Sequence, residues 1–215
     1  MISPCYFIDL DTQEAFAGSG GFLASSSQKN EVFIDPETFR NNLKLLTKHA
    51  VRQGWKILSP IEVYDEDEKK PAKTPAGLST HCKRGSKEAK KIKETTVRGA
   101  YTMAKTQKFS VAAYKKILKK HSQLVFEKYG YDVLKNPHFL KMLKAGGIKT
   151  CMLYGVALDY GLEALALKLL RSGFKVYIPV DAVKAINEEN RRMALVELRR
   201  YGAEMWNTEF IIKNT

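Results

Sequence analysis

The sequence predicts an α/β protein of three layers, in which helices cover both faces of a doubly wound, mostly parallel sheet of about six strands. Two observations predict this fold class. The carboxyl-terminal third alternates short apolar runs with helix-like runs, and the links between them are only a few residues long. Such alternation is typical of parallel strands connected by helices. A length of 215 residues and an apolar content of 44% fit one domain with a substantial core.

The elements follow one another in a regular order. Each predicted strand is a short apolar run, and each predicted helix has apolar residues three or four positions apart. Local signals set the helix bounds, such as Pro36 at a first helical position and Gly173 and Gly202 after helix ends. In chain order we expect strand 6–10, helix 36–51, strand 56–58, a surface loop at 62–80, two lysine-rich helices within 83–120 (one before Thr95, one at 110–120), strand 123–127, helix 137–145, strand 150–155, helix 159–171, strand 175–180, helix 188–201 and a last strand near 210–212.

The cysteines and the lengths of the apolar runs indicate the cellular setting. Cys5, Cys82 and Cys151 are scattered and form no disulfide framework, which favours a reducing cytoplasm. A charged or polar residue interrupts every apolar run well short of a membrane span, and no basic start precedes an apolar stretch. We therefore expect a cytoplasmic protein with no signal peptide, no transmembrane helix and no membrane partner.

Residues 83–120 carry most of the net charge. They hold thirteen Lys or Arg against two Glu, a net +11 of the +13 of the whole chain. We therefore expect a single domain, 1–215, with a lysine-rich insertion at about 83–120. Several roles are open for this segment: a solvated surface that draws in an anionic substrate, a binding surface for nucleic acid or another polyanion, and a lid or a subunit contact in a homo-oligomer.

Three stretches at strand ends contain the candidate site. Residues 11–13 follow the first strand, Lys128 follows a later one, and a turn at 155–161 leads from a strand into a helix. Open α/β sheets bind ligands in the crevice past the carboxyl ends of their strands. Taken alone, Asp11 is most often a turn cap and Lys128 a solvated flank. Asp9, one pleat earlier, is expected on the same face as Asp11 and is a competing acid.

These stretches resemble those of the isochorismatase-like hydrolases, the family that includes the nicotinamidases. Asp11-Thr12-Gln13-Glu14-Ala15-Phe16 is similar to the opening motif of that family, an Asp, any residue, a Gln and a Phe shortly after. The resemblance implies that Asp11 is the general acid/base. It also implies that Lys128 orients Asp11 and stabilises developing negative charge. The substrate-binding residues that it implies are Gln13, Phe16, Tyr131, Val156, Ala157 and Tyr160.

Gly161 departs from the amidase branch of the family. In that branch this position is a thiol at a helix N-terminus, and glycine cannot attack a carbonyl. None of the three cysteines fills the place, so we do not expect the thioester mechanism of a nicotinamidase. True isochorismatases are similar to this chain here, because they too have glycine and hydrolyse a vinyl ether by protonation and water attack. The helix-terminal N–H groups near Gly161 would then bind an anionic substrate group.

A zinc site is weakly indicated by His81 and Glu62. His81-Cys82 resembles the His-Cys pair of nicotinamidases, whose His joins an Asp and another His on a zinc ion. Residues 59–63 stand where an Asp-x-His is expected, and Glu62 is their only substitute ligand. Two ligands make a poor zinc site, and a surface His in a loop is the competing interpretation. We therefore expect no cofactor.

Two functions from different classes follow. The first is a family hydrolase without a cysteine nucleophile, which uses Asp11 and Lys128 on a small anionic substrate. The second is a catalytically silent family member that binds nucleic acid or another polyanion through residues 83–120.

Overall fold

An eight-stranded sheet is the centre of the computed structural model, which describes residues 4–23, 34–65 and 81–215. The strands are β1 (Tyr6–Leu10), β2 (Ile57–Glu62), β3 (Tyr101–Met103), β4 (Gln123–Lys128), β5 (Thr150–Val156), β6 (Lys175–Pro179), β7 (Val183–Lys184) and β8 (Glu204–Trp206). Their order across the sheet is β3-β4-β2-β1-β5-β6-β8, and β7 pairs with β5. Every pairing is parallel.

Helices cover both faces of this sheet. In the described ranges the α-helices are α1 (Glu14–Ala17), α2 (Pro36–Arg52), α3 (Val111–Lys120), α4 (Phe139–Gly146), α5 (Glu163–Arg171), α6 (Glu188–Arg200) and α7 (Thr208–Asn214). Adjacent residues of β1 point to opposite faces. Phe7 packs against His49 of α2 and the following Trp55, whereas the Tyr6 hydroxyl lies against Gly146 at the end of α4. The three predicted layers are therefore confirmed.

Local signals explain where the helices begin and end. Asp35 accepts hydrogen bonds from the backbone N–H groups of Glu37 and Thr38, so α2 begins at Pro36 as predicted. Ser110 caps α3 in the same way. Gly147 ends α4 with φ +69°, a left-handed conformation that glycine adopts without strain.

The strand count differs from the expected six. β3 and β7 contain only three and two residues, which is too short for an apolar run to reveal. The last strand is also misplaced in the prediction. It lies at Glu204–Trp206, and the Phe-Ile-Ile run near 210–212 belongs to α7, because the Asn207 side chain accepts from the Phe210 N–H and starts a helix there.

The predicted helix before Thr95 is absent from the described residues 83–95. The chain there makes successive turns and one 3₁₀ turn, Lys93–Thr95, and Gly85 has φ +83°. The rest of the segment 83–120 supplies the edge strand β3 and the covering helix α3. The surface loop predicted for 62–80 begins inside β2, and its residues 66–80 lie outside the described residues.

None of the helices in the described ranges combines the length and the apolar character that a membrane-spanning helix needs.

Candidate active site

Asp11 and Lys128 meet at the carboxyl edge of the sheet. Asp11 follows β1, Lys128 ends β4, and the Asp11 Oδ2 to Lys128 Nζ distance is 2.8 Å. The Lys128 side chain is fully buried, and its Nζ also donates to the Gly130 carbonyl at 2.6 Å. Asp11 Oδ1 is buried and has no hydrogen-bond partner among the described residues. One oxygen of the carboxyl group is therefore held by lysine, and the other forms no hydrogen bond with a described residue.

Burial dominates the titration of this pair. It raises the pKa of Asp11 to about 7, although the Lys128 ammonium opposes that shift. Burial also disfavours the charged form of Lys128, but the carboxylates of Asp11 and Glu62 outweigh it and raise the pKa of Lys128. A carboxylic acid that is partly protonated near neutral pH can serve as a general acid.

Asp9 has a different environment from Asp11, against the expectation of a shared face. Asp11 has φ +49°, and this left-handed residue breaks the alternation of the strand. Asp9 is fully buried and accepts from Thr12 Oγ1 at 2.5 Å, Ser59 Oγ at 3.1 Å and Lys91 Nζ at 2.6 Å. Because its oxygens are occupied by these donors, Asp9 is a structural residue.

Gln13 lies behind the site rather than on its surface. Its Nε2 donates to the backbone carbonyls of Glu62 at 2.9 Å and Ala89 at 2.8 Å, and its Oε1 accepts from the Glu62 N–H at 2.8 Å. The side chain is fully buried. The structure thus places Gln13 as a brace that joins the ends of β1 and β2 to the segment 83–120, whereas the sequence predicted a substrate contact.

A cavity of about 490 Å³ opens in front of Asp11. It contains most of the residues that the sequence predicted for the site: Asp11, Phe16, Glu62, His81, Tyr131, Val156, Ala157, Tyr160 and Gly161. It also contains residues that were not predicted: Phe22, Leu23, Tyr64, Tyr129, Gly130, Lys135 and Ile186. Lys128 and Gln13 are not on its described lining. Their buried side chains bind residues that form it, Lys128 to Asp11 and Gln13 to Glu62.

Two of the missed residues had a usable signal. Tyr129 directly follows Lys128, and Tyr64 lies two positions beyond Glu62, so both fall at strand ends that face the crevice. Their rings pack edge to face at 4.9 Å between centroids. The polar loop that begins near Tyr64 concealed this aromatic cluster in the sequence.

Glu62 joins His81 and Tyr64 in a second polar group of the cavity. His81 Nε2 is 3.4 Å from Glu62 Oε2, and the Tyr64 hydroxyl donates to the other carboxylate oxygen. Burial opposes ionisation of Glu62, but His81, Lys128 and Tyr64 together lower its pKa to about 2. His81 is 6% exposed, so it is not the surface residue of the competing interpretation. Its Nδ1 is buried and has no hydrogen-bond partner among the described residues.

Gly161 lies in a π-helical turn, Leu158–Leu162, that leads into α5. A Cβ atom at this position would be 2.8 Å from the Tyr131 carbonyl oxygen and 3.4 Å from Leu10 Cδ2. Backbone therefore occupies the space that the first atom of a thiol side chain needs. The cysteines Cys5, Cys82 and Cys151 are fully buried, none lies on the described lining, and burial raises the pKa of each thiol.

The donor set fits zinc poorly. His81 and Glu62 are bound to each other, and Tyr64 occupies the second oxygen of Glu62. In the described part of the chain, no three His, Cys, Asp or Glu residues converge as a metal site requires. These residues form a hydrogen-bonded cluster instead.

Comparison with known proteins agrees with the fold. Residues 112–210 match the family model described as the isochorismatase domain. A pyrazinamidase/nicotinamidase from Streptococcus mutans superposes with a TM-score of 0.70 at 18% sequence identity, over 93% of this chain and 98% of that one. The chain has the isochorismatase-like α/β fold.

Other solved structures share its isochorismatase-like fold. An N-carbamoylsarcosine amidase from Thermoplasma acidophilum has a TM-score of 0.68 at 18% identity, over 96% of this chain and 97% of the amidase. The MAR1 ribonuclease from Caenorhabditis elegans has a TM-score of 0.60 at 16% identity, over 97% of this chain and 79% of the ribonuclease. No curated protein sequence matches the chain significantly.

Proposed function

We propose that this isochorismatase-like protein hydrolyses a small molecule in its cavity by acid–base chemistry, with water as the nucleophile. The observation that carries the proposal is the buried Asp11–Lys128 pair, 2.8 Å apart, at the wall of a cavity of about 490 Å³. A buried carboxyl with a raised pKa, held by a lysine in a crevice, has the properties of a general acid/base.

Water as the nucleophile follows from the absence of a suitable thiol. Gly161 has no side chain, and the Tyr131 carbonyl occupies the adjacent space. The three cysteines are buried thiols with raised pKa values, so they are weak nucleophiles. An acyl-enzyme intermediate is therefore not part of the proposal.

The Glu62–His81 pair would supply the base. Glu62 remains ionised at neutral pH and holds His81 Nε2, while His81 Nδ1 has no hydrogen-bond partner among the described residues. In the proposed step on an enol ether, Asp11 gives its proton to the terminal vinyl carbon, which leaves an oxocarbenium ion. A water oxygen forms the new bond to the oxocarbenium carbon, and one water proton passes to His81 Nδ1. The bond between that carbon and the ether oxygen then breaks, and the proton of the added hydroxyl group moves to the departing alcohol oxygen, so the products are a carbonyl compound and an alcohol. Proton return from His81 to Asp11 through solvent restores both groups.

The cavity favours a small substrate with a flat, ring-like part. Aromatic rings of Phe16, Tyr64, Tyr129, Tyr131 and Tyr160 line much of the described surface, and such faces stack on planar groups. Lys135 is the only cation on that described lining. We propose that it binds an anionic group of the substrate. No zinc ion is included, because His81 and Glu62 are already committed to each other.

A substrate panel tests the proposal. Purified protein is incubated with enol ethers of carboxylic acids and with carboxamides, including nicotinamide, and products are measured by mass spectrometry. We expect turnover of an enol ether that is lost in His81→Gln and retained in Glu189→Gln, a matched change at an exposed site on α6. Formation of nicotinate in proportion to pure protein would contradict the mechanism.

The alternative function, a silent domain that binds nucleic acid through residues 83–120, has its own support. The net charge of +11 in that segment is a favourable field for a polyanion, and one protein of the same fold is a ribonuclease. A panel in which no compound is turned over, even at high protein concentration, would favour this second function.

A further inference from the structure

A groove lined by basic residues lies between α2 and residues 93–98, with a volume of about 740 Å³. We call it the basic groove. Its cations come from two separate parts of the chain: Lys44, Lys48 and Arg52 from α2, and Lys93 and Arg98 from the lysine-rich segment. Glu94 is the only acidic residue on the described lining, and the remaining lining residues are Thr47, Val51, Thr96 and Val97. The charge of the groove is therefore +4 in a small volume.

No described residue neutralises these cations by an ion pair. All five basic side chains belong to exposed residues, and none forms an ion pair or a side-chain hydrogen bond with a described residue. Two other cations of the segment 83–120 behave differently, because Lys91 is paired with Asp9 and Arg84 with Glu127. Some cations of the segment are thus paired with carboxylates of the protein, whereas Lys93 and Arg98 line the groove beside α2.

The geometry fits a row of phosphates. Lys44, Lys48 and Arg52 are four residues apart, so they follow one side of α2 over about 12 Å. One strand of a nucleic acid duplex carries a phosphate about every 3.4 Å of its axis, so this length spans three or four phosphates. The described lining contains no aromatic side chain on which a base would stack.

We propose that the basic groove binds the sugar–phosphate backbone of a nucleic acid without selecting bases. Two walls of like charge concentrate their field between them, which a single exposed helix face does not achieve. The lysines of α3, Lys115, Lys116, Lys119 and Lys120, lie outside the groove. The proposal is independent of the hydrolase activity, because the groove and the cavity at Asp11 share no lining residue.

Matched charge removal tests the proposal. The groove variant is Lys44→Gln/Lys48→Gln/Lys93→Gln, and the control is Lys115→Gln/Lys116→Gln/Lys119→Gln, which removes the same charge from α3. Binding of a labelled single-stranded RNA of mixed sequence is measured by fluorescence anisotropy between about 0.05 and 0.2 M KCl. We expect the groove variant to bind at least tenfold more weakly and to lower the salt slope by about 2, since each lost phosphate contact contributes about 0.7. The control should stay within threefold of the parent protein.

Several outcomes would overturn the proposal. These are an equal or larger loss in the α3 control, no binding by the parent protein at about 0.15 M salt, or a preference of more than tenfold among homopolymers of different bases. Inorganic polyphosphate serves as a competitor of equal charge, and tighter binding of it would assign the groove to that ligand instead. Thermal melting of both variants shows that they are folded. Retained hydrolysis by the groove variant separates this test from that of the cavity.

Discussion

In the Asp11–Lys128 pair, each side chain compensates the buried charge of the other. Removing one member of a buried pair leaves the other charge without compensation and costs about 3–5 kcal/mol. We therefore expect Asp11→Asn to lower the free energy of unfolding by about that amount and to abolish turnover, as measured by urea unfolding and by product formation.

A double variant separates catalysis from stability. Asp11→Asn/Lys128→Met removes both charges, so it should regain most of the lost unfolding free energy and remain inactive. If it recovers turnover together with stability, Asp11 is a structural residue and not the acid.

The raised pKa of Asp11 predicts a pH limit on activity. The acid must be protonated, its pKa in the folded protein is about 7, and the ordinary value is 3.8. We expect kcat/KM to fall about tenfold per pH unit above this value, because the acid loses its proton. Glu62 titrates far lower and adds no limb near neutrality. A profile that is flat between about pH 6 and 9 would contradict the role of Asp11 as the acid.

A side chain at position 161 is expected to lower the stability of the protein. The Tyr131 carbonyl lies 2.8 Å from the place of a Cβ atom, so Gly161→Ala and Gly161→Cys should each lower the free energy of unfolding by about 1–3 kcal/mol. Gly20→Ala is the matched control, because nothing lies within 4 Å of its Cβ position. Unchanged stability of both Gly161 variants would mean that the Tyr131 loop yields easily and that this site can accept a thiol.

At the scale of elements, residues 83–95 stabilise the end of β1 and the residues that follow it. Lys91 donates to Asp9 at 2.6 Å and to Thr12 at 2.7 Å, and its side chain is 7% exposed. We expect Lys91→Met to lower the free energy of unfolding by about 3–5 kcal/mol, because Asp9 is left buried without its counter-charge. Lys90→Met, the exposed neighbour, should change it by less than about 0.5 kcal/mol. Equal melting curves for both variants would show that this stretch is only an appended lid.

The elements were predictable where a local signal coincides with the tertiary environment. Strand β5 and helix α5 follow from a continuous apolar run and a glycine stop. All of β5 is buried, and α5 buries Leu165, Ala166 and Leu169. The stretch 83–95 was misjudged because its lysine spacing fits a helix, whereas Lys91 in fact faces Asp9, a partner 82 positions away. Periodicity reports which residues share a face, but it does not report a distant partner.

The candidate site was likewise predictable where local signals suffice and not where the direction of a side chain decides. Asp11, Lys128 and Gly161 were found because each ends or follows a strand of the sheet. Gln13 was predicted to contact the substrate, but its side chain turns inward and binds the Glu62 backbone. Tyr64 falls in the surface loop predicted for 62–80, but it lines the cavity. Which way a side chain turns beyond a strand end depends on backbone angles, such as φ +49° at Asp11, that the sequence does not specify.

For the whole molecule, the burial of all three cysteines predicts chemical inertness. Cys5, Cys82 and Cys151 are each 0% exposed, and burial raises the pKa of each thiol, so the thiolate is scarce. We expect the native protein to release no colour with a disulfide reagent and the denatured protein to react at three thiols. Turnover should survive this treatment. Rapid labelling of one thiol with loss of activity, prevented by substrate, would assign a catalytic role to that cysteine.

The position of β1 in the middle of the sheet has a consequence for biosynthesis. β1 leaves the ribosome first, yet one of its two neighbours is β5, where Tyr6 pairs with Cys151 about 145 residues later. At translation rates of about 5–20 residues per second, the nascent strand waits roughly 7–30 s for that partner. During this time β1 lacks one of the two strands that pair with it, although β2 and Lys91 have already been made. The central strand of the finished protein thus keeps one unpaired edge for most of the time that the chain takes to be made.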